Sequence, residues 1–251
     1  MSGAAGFWET LPLGRGVEVL AHDAHGLAAF NKPAGVLSHP NRIADEPRSL
    51  LTVRYVEDGE FFEWGAGAAP QRLWLLNRLD AATSGVILAA ASAELAATIR
   101  AHFKRKQVRK VYHALVFGHP RMKSELWQDR LNVVKRGGHI RTEARGGHIP
   151  AECLMTVVRK TTAEPRLALL QLEPRTGRSH QLRVQCEKRG LPIVGDQTYG
   201  DFARNREFAK QAGTKRLFLH SSETTFAYEF GGRRHDFVAR APLPPEFGQF
   251  F

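Results

Sequence analysis

Cysteine is scarce in this sequence: Cys153 and Cys186 are the only two among 251 residues. Two cysteines supply neither a four-ligand zinc site nor a disulfide framework, and they suit a reducing cytosol. Long apolar runs are missing too, so no segment is predicted to span a bilayer. The first ten residues, MSGAAGFWET, lack a basic segment followed by an apolar stretch, so we expect no signal peptide. These absences favour a cytoplasmic globular protein.

The common catalytic and nucleotide-binding motifs are also absent. No HExxH, GxGxxG, GK[S/T] or CxxC pattern occurs, so zinc-protease, dinucleotide, NTP and redox sites have no support. The eleven histidines show no metal-ligand spacing. Ser179 is followed by His180, but a hydrolase triad is defined by geometry and not by adjacency in sequence.

Acidic residues are outnumbered. Lys and Arg total 36 against 25 Asp and Glu, which gives a net charge of +11 and a pI near 10.1. This balance indicates a polyanionic partner, most commonly nucleic acid, with solubility as the alternative explanation. The segment HFKRKQVRK at 102–110 is strongly basic. The segment at 135–149 contains RGGHI twice, and its glycines predict a mobile hairpin or loop that is either a phosphate-binding arm or a solvated hairpin without a partner.

The pattern of apolar residues predicts many strands and few helices. The clearest helix is SAELAATIRAHFKRK, in which Ser92 can cap the N-terminus and Leu95, Ile99 and Phe103 share one face. The segment SHQLRVQCEKRG predicts a second, short helix. Paired strands are predicted for ECLMTVVRK and RLALLQLE, and a hairpin for TTFAYEFGGRRHDFVA. We predict an α+β fold with a mostly antiparallel, bent sheet, comprising an N-terminal tail (1–16) and one domain (17–251).

Charged residues at the predicted ends of these elements form the candidate site. Asp80 and Arg78 lie in NRLDAATSG, between two apolar segments, and Arg178 and Arg183 lie in PRTGRSHQLR. If an arginine meets Asp80 in a cleft, it keeps the carboxylate ionised and able to act as a nucleophile. The alternative is a purely structural ion pair at the end of a sheet.

The segments that carry these residues are similar, in order, to those of one enzyme family. NRLDAATSGVILAA resembles the HRLDxxTSG signature of the RluA-type pseudouridine synthases. Five further segments resemble other blocks of that family: FNKPAGVLSHP, RKVYHALVFG, PRTGRSHQLRVQC, LPIVGDQTYG and RLFLHSSETTF. The resemblance covers about residues 17 to 245, nearly the whole chain.

The resemblance implies an enzyme that isomerises uridine to pseudouridine in RNA, without metal or cofactor, in a central RNA-binding cleft. It implies that Asp80 is the catalytic aspartate, that Tyr112 packs on the target base, and that Arg183 pairs with the aspartate. Arg78 would occupy the space left by the flipped nucleotide. The remaining expected RNA contacts are Lys104, Arg105, Lys106 and Arg178.

Two positions depart from the family pattern, since Asn77 and Gln185 stand where histidines are usual. Neither is the nucleophile, but both put in doubt the transfer of a particular member's substrate. We expect the fold to start near Val17, with no separate N-terminal RNA-binding domain, and a monomer acting on tRNA or rRNA. The alternatives are a non-catalytic RNA-binding protein or chaperone with the same fold, and an enzyme that cleaves the glycosidic bond and releases uracil.

Neutralising Lys104, Arg105 and Lys106 together to glutamine should weaken binding to many RNAs. Each lost phosphate contact should reduce the slope of log affinity against log salt by about 0.7 to 0.9. The measurement is fluorescence anisotropy of labelled RNA over a salt series. If these residues only complement the dipole of their helix, the triple variant will lose thermal stability and keep the wild-type slope.

Overall fold

Short apolar runs separated by Gly, Pro and polar turns fold into strands through most of the chain. The computed structural model describes residues 4–65, 70–136, 139–143 and 147–251. These group into two units: unit one contains Met1–Val108 and Glu223–Ala241, and unit two contains Arg109–Ser222 and Pro242–Phe251. The single domain over residues 17–251 stays a prediction.

The described helices are α1 (Ala4–Glu9), α2 (Ala93–Lys104), α3 (Gln181–Lys188) and α4 (Phe202–Ala212), with 3-10 turns at Ile43–Arg48 and Pro245–Phe247. The described strands are β1 (Glu18–His22), β2 (Leu27–Lys32), β3 (Arg54–Val56), β4 (Phe61–Trp64), β5 (Gln71–Leu75), β6 (Ser84–Ala90), β7 (Arg109–Phe117), β8 (Ser124–Arg136), β9 (His139–Glu143), β10 (Ile149–Lys160), β11 (Leu167–Pro174), β12 (Leu219–Phe230) and β13 (Arg233–Arg240). The predicted α+β class is confirmed.

Unit one is built around β6, which is buried along its whole length. Strand β2 pairs antiparallel with β6 from Leu27↔Ala90 to Lys32↔Gly85, and β3, β4 and β5 follow one another as antiparallel neighbours. Helix α2 covers this layer with its apolar face. The core contains Leu95, Ile99, Leu27, Val86, Leu88, Phe226 and Phe237. Because β6 has no exposed face, it is held in place, and the loop that precedes it ends at a fixed position.

Unit two orders its strands as β7-β11-β10-β8-β9, with antiparallel pairing throughout. Helix α3 packs on this sheet, with Leu182 and Cys186 buried, as their spacing predicted. Cys153 is buried in the same core, and both thiols are free. Burial raises the pKa of Cys153 to about 12 and that of Cys186 well above its usual value. These cysteines are core residues.

Local sequence signals predicted several elements correctly. The Ser92 hydroxyl accepts the Leu95 N–H at the start of α2. The hairpin between β12 and β13 turns through Gly231 and Gly232, both at positive φ. Of the RGGHI segment, β9 pairs with β8, whereas residues 137–138 and 144–146 lie outside the described residues.

Other elements differ from the expectation. Ordered structure begins before Val17, because α1 places Trp8 in the interior, stacked on His22 at 5.4 Å between ring centroids. Helix α4 was not predicted. Its ends carry ordinary signals, since the Asp201 carboxylate accepts two N–H groups of the first turn and Gly213 closes the helix at φ 67°. The segment is charged and mostly exposed, so its pattern of apolar residues did not indicate a helix.

Candidate active site

Asp80 lies in a loop of unit one, residues 77–83, that joins β5 to the buried strand β6. The Ser38 hydroxyl donates to the Leu79 carbonyl (2.7 Å) and accepts the Leu79 N–H (2.9 Å). On the other side, the Gly35 N–H donates to the Ala81 carbonyl (2.7 Å). Both neighbours of Asp80 are therefore fixed by hydrogen bonds to one segment, residues 35–38. A half-buried carboxylate is thereby presented on a loop with a defined path.

Lys32, at the end of β2, ties the same two segments together. Its side chain is fully buried, which is unusual for lysine. The ammonium group donates to the carbonyls of Pro33 (3.0 Å), Val36 (2.7 Å) and Ala81 (3.1 Å). The first residue of the loop is fixed separately, because the Asn77 side-chain oxygen accepts the Leu88 N–H of β6 (2.8 Å). Asn77, which departs from the family pattern, therefore links the loop to the backbone of β6 through its side chain.

Arg78 projects from the exposed side of this loop beside two aromatic side chains. Its Nη1 lies 3.4 Å from His39 Nε2. The His39 ring stacks on Tyr55 with centroids 4.6 Å apart and planes 15° apart. Burial raises the pKa of Tyr55 to about 12, so its hydroxyl stays neutral near pH 7. The exposed guanidinium of Arg78 thus lies next to the His39 ring, which stacks on Tyr55.

Tyr112 lies on β7 of unit two, half-buried, and its ring packs against the core of that unit. Lys110 lies two residues earlier and shares its face of the strand. Burial lowers the pKa of Lys110. A methyl group at Gly177 would lie 3.5 Å from Lys110 Nζ. The ammonium group of Lys110 therefore lies against the PRTGRS loop that precedes α3.

Arg183, on α3, is buried and forms a bidentate ion pair within unit two. Its Nε and Nη2 donate to the two carboxylate oxygens of Asp196, both at 2.8 Å, and its guanidinium lies 5.1 Å from the centroid of the Tyr199 ring. Burial alone would raise the pKa of Asp196, but the hydrogen bonds and charge of Arg183 and two backbone N–H groups hold it below its usual value. The Asp196 partner was not predicted from the sequence.

Gln185, the second departure, is fully buried on the same helix. Its side-chain amide donates to Asp129 on β8 (2.7 Å) and its oxygen accepts from Gln181 (3.1 Å). Asp129 also accepts from Lys188 (2.6 Å) and Arg189 (2.9 Å). Gln185 therefore joins a buried polar network that fixes α3 on the sheet.

The remaining predicted RNA contacts are exposed. Arg178 lies in the loop before α3, and its Nε donates to the Pro150 carbonyl (3.3 Å). Lys104 ends α2, Arg105 caps it, and Lys106 follows at φ 59°. This position suits both phosphate contact and the negative end of the helix dipole.

The structure thus places the predicted residues on two units. Asp80, Arg78 and Lys104–Lys106 belong to unit one, whereas Tyr112, Arg178 and Arg183 belong to unit two. The role of each residue, and the expected pairing of Asp80 with Arg183, stay predictions. The sequence did not predict a role for Lys32 or Ser38, although both lie in the FNKPAGVLSHP segment that resembles the family.

Among the described residues, no three His, Cys, Asp or Glu side chains cluster in a way that could hold a metal ion. None of the helices in the described ranges has the length and apolar character needed to cross a bilayer.

Comparisons with known proteins agree over most of the chain. A family model described as RNA pseudouridylate synthase matches residues 26–188. A protein of Vibrio cholerae serotype O1 named tRNA pseudouridine synthase C is 30% identical over 236 residues, covering 90% of this chain and 91% of that protein. Its namesake from Yersinia pestis is 31% identical over 240 residues, covering 91% and 88%.

Two solved human structures share the fold. RNA Pseudouridylate Synthase Domain Containing 1 superposes with a TM-score of 0.66 at 23% identity, covering 91% of this chain and 85% of that one. RNA Pseudouridylate Synthase Domain Containing 4 gives a TM-score of 0.64 at 23% identity, covering 92% and 90%.

Replacing Asp196 with Asn should lower the free energy of unfolding by about 3–5 kcal/mol at neutral pH, because it breaks the buried bidentate ion pair with Arg183. The stabilisation by Asp196 is present above its unfolded pKa, ordinarily 3.8, and is lost as the pH falls through its lower folded pKa. Urea unfolding at neutral and acidic pH should therefore show the two proteins converging below about pH 4. Glu164→Gln, which removes an exposed pair with Arg166, is the control and should change stability little. Equal effects of the two substitutions would contradict the prediction.

Proposed function

This chain belongs to the RNA pseudouridylate synthase family and is an RNA pseudouridine synthase, and from this premise we propose that it isomerises a uridine of tRNA, with Asp80 as the nucleophile. The observation that carries the assignment of Asp80 is its loop. The residues on both sides of the carboxylate are fixed by hydrogen bonds to the segment at 35–38, and the side chain itself is half-buried. Such a loop holds a charged group in one orientation before a substrate arrives, which lowers the entropic cost of reaction.

The reaction is an isomerisation in which no atom is gained or lost. The bond between N1 of the base and C1′ of the ribose breaks, a bond between C5 and C1′ forms, and a proton passes from C5 to N1. In our proposal the Asp80 carboxylate attacks C1′ as the N1–C1′ bond breaks, and the bond between Asp80 and C1′ breaks again when C5 attacks C1′. Tyr112 packs on the base, and its hydroxyl accepts the C5 proton while releasing its own, so that one proton passes on to N1. Nothing in this sequence of steps calls for a metal or a cofactor.

Two arginines have separate roles in the proposal. Arg183 is proposed to pair with the Asp80 carboxylate and to keep it ionised. Arg78 takes the place of the uridine in the stack once the base has flipped out. Its exposure supports this role, together with its contact to His39 (Nη1 to Nε2, 3.4 Å), because a planar guanidinium at the surface is suited to stacking on bases.

The proposal of tRNA as substrate rests on the relatives. Both bacterial proteins are named for tRNA, and the alignments cover 91% and 88% of their lengths. The net charge of +11 suits a folded polyanion. Arg178 and the cluster Lys104–Lys106 are proposed to contact its phosphates. We propose that the protein acts in the cytoplasm as a monomer.

Asp80→Asn should abolish pseudouridine formation, with a rate loss of at least about 10³-fold, because the amide is not a nucleophile. Affinity for tRNA should stay near the wild-type value, since no cation is removed. The assay is mass-spectrometric detection of pseudouridine in an unmodified tRNA transcript pool under single-turnover conditions. Asp58→Asn, an exposed acid in the turn before β4, is the matched control. Wild-type turnover by Asp80→Asn would remove Asp80 from the mechanism.

Arg78→Ala should slow the reaction by about tenfold on a folded stem-loop and less on an unstructured fragment with the same target uridine. A stacked base costs more to flip than an unstacked one, so the residue that fills the stack matters more in the stem-loop. Arg15→Ala, at an exposed turn of unit one, controls for loss of one positive charge. An equal loss on both RNAs would leave Arg78 as an ordinary phosphate contact.

A further inference from the structure

Helix α4 and the segments beside it enclose a cavity in unit two whose residues have no part in the proposed chemistry. Its volume is about 570 Å³, within the range of about 300–1,000 Å³ that is usual for ligand sites. From α4 it is lined by Phe202, Asn205, Arg206, Phe208, Ala209 and Lys210. The opposite walls come from Gly195, Gln197 and Thr214–Arg216. We call this cavity the α4 groove.

The floor of the α4 groove is rigidly built. Asn205 is buried, its side-chain oxygen accepts the Gly195 N–H (2.7 Å), and its amide donates to the Asp196 carbonyl (3.0 Å). Gly195 has φ 78°, and a Cβ there would lie 1.7 Å from the Arg216 carbonyl oxygen. Only glycine allows the walls to approach this closely, so the shape of the groove is fixed by the fold.

Positive charge dominates the lining. Arg206, Lys210, Lys215 and Arg216 contribute to it, and no carboxylate does among the described residues. Arg216 is paired with Glu246 (2.6 Å), and Lys210 lies 3.8 Å from Glu207. Within the described part of the chain, Arg206 and Lys215 make no ion pair, and both are exposed. Two cations therefore face solvent without compensation, which favours an anionic ligand.

An exposed aromatic ring lies beside these cations. Phe202, the first residue of α4, is 52% exposed, and its ring contacts no other ring in the described ranges. An exposed phenylalanine next to arginine and lysine is the combination by which proteins hold unpaired nucleotides, with the base stacked on the ring and the phosphate near the cations. A wholly apolar protein partner would not use the cations, and a small inorganic anion would not use the ring.

We propose that the α4 groove binds an unpaired nucleotide of the RNA substrate, with its base on Phe202 and its phosphate between Arg206 and Lys215. The groove is a second RNA contact, separate from the residues proposed to act on the target uridine. The proposal rests on the proposed function only for the identity of the RNA, and its chemistry applies to any RNA with a single-stranded nucleotide in reach.

The experiment uses the full-length protein with two probes, an unmodified tRNA transcript and a short oligouridylate. Phe202→Ala is compared with Ile43→Ala, which removes another highly exposed apolar side chain. The double substitution Arg206→Gln and Lys215→Gln is compared with Arg233→Gln and Arg234→Gln, which removes two exposed cations from the β12–β13 hairpin. Thermal unfolding checks that all variants fold, as expected for exposed positions.

Phe202→Ala should weaken binding of both probes by about tenfold and leave the salt dependence unchanged. The groove double variant should reduce the slope of log affinity against log salt by about 0.7, because one phosphate contact is lost, with the hairpin double variant close to wild type. Pseudouridine formation at saturating RNA should stay within about twofold of wild type, because the groove only holds RNA.

Equal binding by the groove variants and their controls would overturn the proposal. This failure is distinguishable from a failure of the proposed function. In the latter case the wild-type protein makes no pseudouridine in tRNA, while the difference in RNA affinity between groove variants and controls persists.

Discussion

The buried ammonium group of Lys32 holds together the part of unit one on which the candidate site depends. Burying a charged group costs several kcal/mol, and this ammonium group donates hydrogen bonds to the carbonyls of Pro33, Val36 and Ala81. Hydrogen bonds to a charged group contribute about 1.5–3 kcal/mol each and offset that cost. The segment after β2 and the loop that carries Asp80 therefore cannot separate without breaking hydrogen bonds to a buried charge.

Unit two also contains a buried charged group whose hydrogen bonds hold separate segments together. Arg183 is buried on α3 and is neutralised by Asp196, whose carboxylate also accepts the N–H groups of Thr198 and Tyr199. One ion pair thus fixes both a helix and the loop that follows it. The loop leads into α4, and the Asp196 carbonyl accepts a hydrogen bond from Asn205 in the floor of the α4 groove. The α4 groove and the buried ion pair between Arg183 and Asp196 are therefore connected through Asp196.

The two residues that depart from the family pattern also form hydrogen bonds that support the structure. Asn77 accepts a backbone N–H of β6, and Gln185 bridges α3 to Asp129 and Gln181. A histidine ring nitrogen can accept a hydrogen bond as the Asn77 oxygen does. The Gln185 amide both donates and accepts in its network, as the two ring nitrogens of a neutral histidine can. Neither residue projects a reactive group, so the substitutions alter how the chain supports its site and leave the proposed nucleophile in place.

The sequence alone determined the features that depend on neighbouring residues: the capped helix α2, the Gly231–Gly232 hairpin, the buried face of α3 and the motifs that predicted the family. Two residues could be named as a candidate pair, Asp80 and Arg183, but not their surroundings. Tertiary structure decided that Arg183 binds Asp196 and that Lys32 reaches Ala81, 49 residues away. It also brought α4 beside Gly195 and Lys215 to form a cavity. Local propensity acts over a few residues, whereas the partner of a buried charge is whatever acceptor the packed chain brings within 3 Å of it.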